Sequence, residues 1–149
     1  MNKSLADVFV DGARKGWNVG VNSIIPNVLM AYALIQVLKV TGALELLSNL
    51  FAPVMALFAL PGSAVMVLAG AWLSMGGGMG VAASLYATGA LTAVHLTILL
   101  PAIFLMGAQL QYMGRMLGTA GVKTRFYPVL FAISIINAMV AMLIMRIFV

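Results

Sequence analysis

The chain's single histidine, His95, stands in an uncharged stretch of 69 residues, from Leu46 to Gly114. Thr88 and Thr92 precede it at i, i+4 and i+7, so one continuous helix would carry all three on one face. An ionisable side chain inside a membrane is costly to bury and is a functional candidate by default. The competing role is structural, a neutral imidazole near the outer end of its span bonded to a neighbouring helix. Prolines suggest a second kind of chemistry, because a proline inside a helix releases the carbonyl four residues earlier. Pro26 would release that of Asn22, Pro53 that of Asn49 and Pro101 that of Thr97; all three residues also carry hydrogen-bonding side chains. Broken helices with loose carbonyls and polar side chains are how many transporters build solute sites. Local repair of each kink by a side chain or a water is the equal alternative. A further break is expected at Ser74-Met-Gly-Gly-Gly-Met-Gly80, where three consecutive glycines cost a helix ~3 kcal/mol relative to alanine. The candidate lining of a solute site is therefore Asn18, Asn22, Asn27, Ser74, Gly76, Gly77, Gly78, Gly80, His95, Thr97 and Gln109. The amides would exchange hydrogen bonds with a small polar solute, and the glycines would let the backbone approach it.

Other chemistries find little support. Gly78-x-Gly80-x-x-Ala83 matches a dinucleotide fingerprint, but that motif needs an acid about 20 residues later, and Glu45 is the last acid in the chain. Gly121-Val-Lys-Thr124 lacks the Gly-Lys-Ser/Thr triplet of a phosphate-binding loop. Met139, Met142 and Met145 recur every third residue, and thioethers bind Cu(I). Twelve methionines are scattered through the chain, however, and no Cys or His accompanies this trio, so packing is the expected role. Without cysteine there are no disulfides, iron–sulfur clusters or thiolate zinc sites. One histidine and no carboxylate deep in any span leave no acid–base pair, so no enzymatic activity, metal or cofactor is expected.

The elements that must position these residues are membrane helices. Hydrophobic residues make up 64% of the 149 and charged residues 7%, against about 25% charged in soluble domains. Uncharged runs of 23, 69 and 20 residues (16–38, 46–114 and 126–145) compare with the ~20 apolar residues that cross a bilayer. The expected fold is a single all-α integral membrane domain over 1–149. It has an amphipathic N-terminal helix within 1–16 and about five hydrophobic helices over 17–148, some broken or re-entrant. Ser4 and Asp7 form a capping box, Asp11 can pair with Arg14 and Lys15, and Trp17 sits where an interfacial anchor belongs. Gly12, Gly16 and Gly20 make a small-residue ridge suited to close helix packing. The segment 44–60 should end in a type II turn at Pro61-Gly62, and Gly89 should mark the next turn.

The basic residues Lys3, Arg14, Lys15, Lys39, Arg115, Lys123, Arg125 and Arg146 lie at the ends of apolar runs. They form no basic face for nucleic acid, and they read as topology signals in a lipid bilayer. The N-terminus, which does not look like a secretory signal, and the loop 114–125 should be cytoplasmic. Spans are expected near 17–38, 91–113 and 126–148, with 44–86 crossing twice or forming a re-entrant hairpin.

Gly16-Trp17, Ile25-Pro26, Thr41-Gly-Ala-Leu-Glu45, Pro53, Leu60-Pro-Gly62, the glycine cluster of 74–80 and Gly121-Val-Lys-Thr-Arg125 stand in a telling order. Over essentially the whole chain this pattern resembles the spore maturation protein B family of bacterial inner-membrane proteins, built on the Gate or nucleoside recognition domain. The resemblance implies a Gate-domain-like protein of the bacterial cytoplasmic membrane that acts with a second, spore maturation A-like Gate chain. Related Gate segments occur in concentrative nucleoside transporters and ferrous-iron transporters, so the chain would be half of a permeation unit. Such nucleoside transporters use acidic residues in the membrane, and this chain has none there. Gln109, Gln111 and Tyr112 stand where the family carries a threonine- and glutamate-containing stretch. The expected function is a subunit of a small-solute transport complex, and the rival is a scaffolding or regulatory membrane protein.

Overall fold

The computed structural model describes residues 4–149, leaving aside the side chains at 23, 27, 31, 114 and 115. Lys3 and the side chains of Asn27 and Arg115 thus lie outside the described residues. Every regular element among the described residues is helical.

Helix α1 (Leu5–Val19) opens with the expected capping box: Ser4 Oγ accepts from the Asp7 amide, and the Asp7 carboxylate accepts from the Ser4 amide. None of its residues is buried. Asp7, Asp11, Arg14, Lys15 and Asn18 share one face by helical period, as an interfacial helix requires. The chain then runs without a loop through a π-helical segment, Gly20–Ile24, into α2 (Ile25–Val40). There the Ile25 amide reaches back to the Gly20 carbonyl, and Pro26 falls in the first turn of α2. A wide turn just before a proline gives its ring room that a regular turn would not. The first expected span is therefore interrupted by a π turn.

Gly42, at φ 73°, ends α2. The next helix, α3 (Ala43–Ala56), leaves at 92° to Val28–Val40, and the bent pair is apolar enough to count as one broken span. Helix α3 runs on through Pro53, so the chain is not broken there. Its end is a Schellman turn: the Leu60 amide reaches the Met55 carbonyl, and the Ala59 amide reaches that of Ala56. Ala59 occupies the left-handed position at φ 56°. Leu60 and Met55 are both buried, giving the apolar contact this motif carries. The expected type II turn at Pro61-Gly62 is not formed. Ala59 reverses the chain instead, and Gly62 begins a 3-10 turn, Gly62–Ala64. A left-handed alanine costs about 1 kcal/mol that glycine would not. Ala59→Gly should thus raise the melting temperature in detergent by roughly 2–4 °C.

Helix α4 (Val65–Leu73) and helix α5 (Met75–Ala87) follow, separated only by Ser74. Gly89, at φ 74°, makes the next turn as expected. Helix α6 (Ala93–Met106) passes through Pro101 unbroken, and α7 (Gln109–Tyr112) continues its path. The final helix is α8 (Tyr127–Phe148). The paths Ala93–Tyr112 and Thr124–Phe148 are each long and apolar enough to cross a bilayer. The core lies where α4, α5 and α6 meet, with α2 against α5 and α8 against α6; Val67, Leu85, Ile98 and Leu99 are sealed within it. Leu29, Leu46, Leu50, Phe104 and Ile136 are exposed instead, as suits a surface solvated by hydrocarbon rather than water.

Candidate functional site

Two helix breaks meet at half-buried residues beside the core. The first is Ser74, extended at φ −162°, ψ 140°. Its hydroxyl accepts from the Gly77 amide at 2.8 Å, and its carbonyl accepts from that of Gly78. Serine caps a helix this way because its oxygen replaces the missing carbonyl of the preceding turn. The second break is Gly107-Ala108, where Ala108 turns left-handed at φ 57° before α7. Gly107 has no room for a side chain, since a Cβ would lie 2.8 Å from the Ile103 carbonyl oxygen and 3.1 Å from Met75 Cβ.

The breaks are stitched together by hydrogen bonds. The Ala108 amide donates to the Ala71 carbonyl at 2.8 Å, and Gln111 Nε2 donates to the Leu73 carbonyl at 2.9 Å. A helix leaves its last four carbonyls without intrahelical partners, and α7 and the bend before it supply two of them for α4. Among the described residues two buried side-chain polar atoms have no partner: Gln109 Oε1, next to Ala108 in the chain, and Trp72 Nε1, whose ring stacks 5.2 Å from that of Phe131. One is an acceptor and one a donor, and a buried unsatisfied group costs about 1–3 kcal/mol. No Asp, Glu, Lys or Arg occurs from Leu46 to Gly114, so the residues of the two breaks are themselves uncharged.

Of the expected lining, Ser74, Gly76, Gly77, Gly78, Gly80 and Gln109 belong to the first break, the helix it opens or the second break. Gly77 and Gly78 face α4: a Cβ on Gly77 would lie 3.2 Å from the Gly70 carbonyl oxygen, and one on Gly78 would lie 2.7 Å from Ala71 Cβ. Their close approach is to a helix. Asn18 and Asn22 are exposed and lie on the N-terminal arm, in α1 and the π segment.

His95 stands 14 residues before Gln109, roughly 20 Å of helix rise away. It belongs to a capping box: Nδ1 accepts from the Thr92 amide at 3.2 Å, and Thr92 Oγ1 accepts from the His95 amide at 3.3 Å. The expected single face of Thr88, Thr92 and His95 is not formed, because Thr88 closes α5 while Thr92 opens α6. Thr97 Oγ1 donates to the Ala93 carbonyl within its own helix. Glutamine also serves at the third position of a capping box, so His95→Gln should leave stability within about 0.5 kcal/mol. Thr92→Ala should cost about 1 kcal/mol; thermal melts of the two variants check both expectations. Sequence reasoning missed Gly107, Ala108, Trp72 and the role of Gln111. A lone glycine is a weak break signal, and alanine gives none.

Interrupted helices within an apolar bundle define a multi-pass membrane protein with discontinuous helices. The chain belongs to the Gate family, described as nucleoside recognition, whose model matches residues 21–120 and so takes in both breaks. It is 46% identical over 149 residues, all of this chain and 97% of the relative, to the inner membrane protein YjiG of Escherichia coli strain K12. The YjiG proteins of strains CFT073 and O157:H7 match to the same extent. No solved structure is recognisably similar.

Proposed function

We propose that the chain is a subunit of a bacterial inner-membrane permeation complex for a small uncharged polar solute, paired with a second, spore maturation A-like Gate chain. The observation that carries this reading is Gln109 Oε1, buried without a partner where two broken helices join. Evolution tolerates such a cost chiefly where the group serves a ligand or a second state. Asn22 supports the second chain. It is exposed in the π segment within the first apolar run, and an amide facing hydrocarbon costs several kcal/mol unless another protein surface takes it. The basic residues flanking the spans favour a cytoplasmic N-terminus. The residues of the junction act by hydrogen bonding alone, with no cofactor and no catalytic step.

The test is co-reconstitution of both chains in vesicles and uptake of a panel of labelled uncharged solutes, nucleosides included. Flux of at least one solute that needs both chains supports the reading. Formation of the two-chain complex with no flux above empty vesicles favours the rival, a structural or regulatory membrane protein. The close contact of Gly78 with Ala71 is the feature that a purely packing role would explain.

A further inference from the structure

A groove of about 480 Å³ lies among α3, α4 and α8, with Met106 of α6 also lining it. Apart from the Trp72 indole, its lining side chains are wholly apolar, among them Phe51, Leu68, Met139 and Met142. Apart from the Trp72 N–H, a polar solute finds nothing to bind there. On α8 the lining residues are Ile135, Met139 and Met142, at i, i+4 and i+7, and Arg146 follows at i+11 on the same stripe. Arg146 Nη1 donates to the Leu57 carbonyl at 2.6 Å, and Leu57 lies between the lining residues Met55 and Phe58. The guanidinium is thus pinned at one end of the groove. It has five N–H donors, and the side chain is exposed, so further donors are available to an anion.

We propose that this groove holds one acyl chain of an anionic phospholipid, with the lipid phosphate on Arg146. An apolar trough ending in a cation matches the two halves of such a lipid. Guanidinium binds phosphate oxygens in a fork geometry, and methionine side chains adapt to an irregular hydrocarbon chain. A partner helix would have to bring its own acid to the same point, whereas the phospholipid carries its anion with it. The lipid seals α3 to α8 where the protein alone leaves a gap.

The test is native mass spectrometry of the purified, delipidated full chain, offered phosphatidylglycerol or phosphatidylcholine with identical acyl chains. Wild type should retain the phosphatidylglycerol adduct about five-fold more strongly, the factor expected of one cation near an anionic headgroup. Arg146→Gln should bring the two lipids to parity, Arg146→Lys should keep a preference, and Arg125→Gln should change nothing. Ala69→Trp, which fills the groove, should remove both adducts while the melting temperature holds. An undiminished preference in Arg146→Gln, or full lipid occupancy in Ala69→Trp, overturns the proposal. Loss of the adduct from wild type on adding the second Gate chain also overturns it, by making a helix the occupant.

Discussion

Gly62→Ala should leave little folded protein: a broad aggregate peak in detergent gel filtration, and a loss of roughly 3 kcal/mol or more in any fraction that folds. Gly62 lies against the main chain of Ser48 in α3. A Cβ at Gly62 would overlap the Ser48 carbonyl oxygen and sit 2.6 Å from its carbonyl carbon. A flexible side chain could swing away, but helix backbone cannot. Nor can α3 shift as a whole at low cost. Its C-terminal end is held by the Schellman turn at Ala59 and by Arg146 on the Leu57 carbonyl. Gly12→Ala is the matched control. A Cβ at Gly12 meets nothing within 4 Å, so alanine there should stabilise α1 by about 0.5–1 kcal/mol. If Gly62→Ala melts like wild type, the crossing of α3 and the turn before α4 is not as described.

Gly78→Val should be the second most damaging change, at roughly 2–4 kcal/mol. The first added carbon would already lie 2.7 Å from Ala71 Cβ and 2.8 Å from Ala71 Cα. Helices α4 and α5 would have to move apart. That movement would draw the Ala71 carbonyl away from the Ala108 amide, the 2.8 Å bond that ties the two breaks together. The variant should therefore lose flux even in the fraction that remains folded. Gly78→Ala should show the same pattern more weakly, which a melting series with uptake on each sample resolves. A folded Gly78→Val variant with unchanged uptake would separate the packing of α4 and α5 from any role in permeation.

Much of the fold was legible because hydrocarbon imposes simple rules. Charge-free runs locate the apolar helices, Ser4 with Asp7 starts α1, and Gly89 ends α5. The prolines left the breaks undecided, because the rule that they release a carbonyl says nothing about whether the helix continues. Pro53 and Pro101 sit inside unbroken helices, and the chain widens into a π turn before Pro26. The Ser74 break was legible from its glycines, although those glycines then serve α5 and its contact with α4. The Ala108 break was not, because a left-handed alanine is sustained by tertiary hydrogen bonds that no local pattern encodes. His95 drew attention by being rare, and its imidazole is occupied at the start of its own helix.

The central claim is that Gln109 keeps an unsatisfied acceptor for a passing solute. Leucine removes that acceptor at similar size, so Gln109→Leu separates stability from function. In vesicles containing both Gate chains, the variant should melt at or above the wild-type temperature while solute uptake falls about ten-fold or more, the effect of losing one buried hydrogen bond. Uptake equal to wild type in Gln109→Leu would contradict the account.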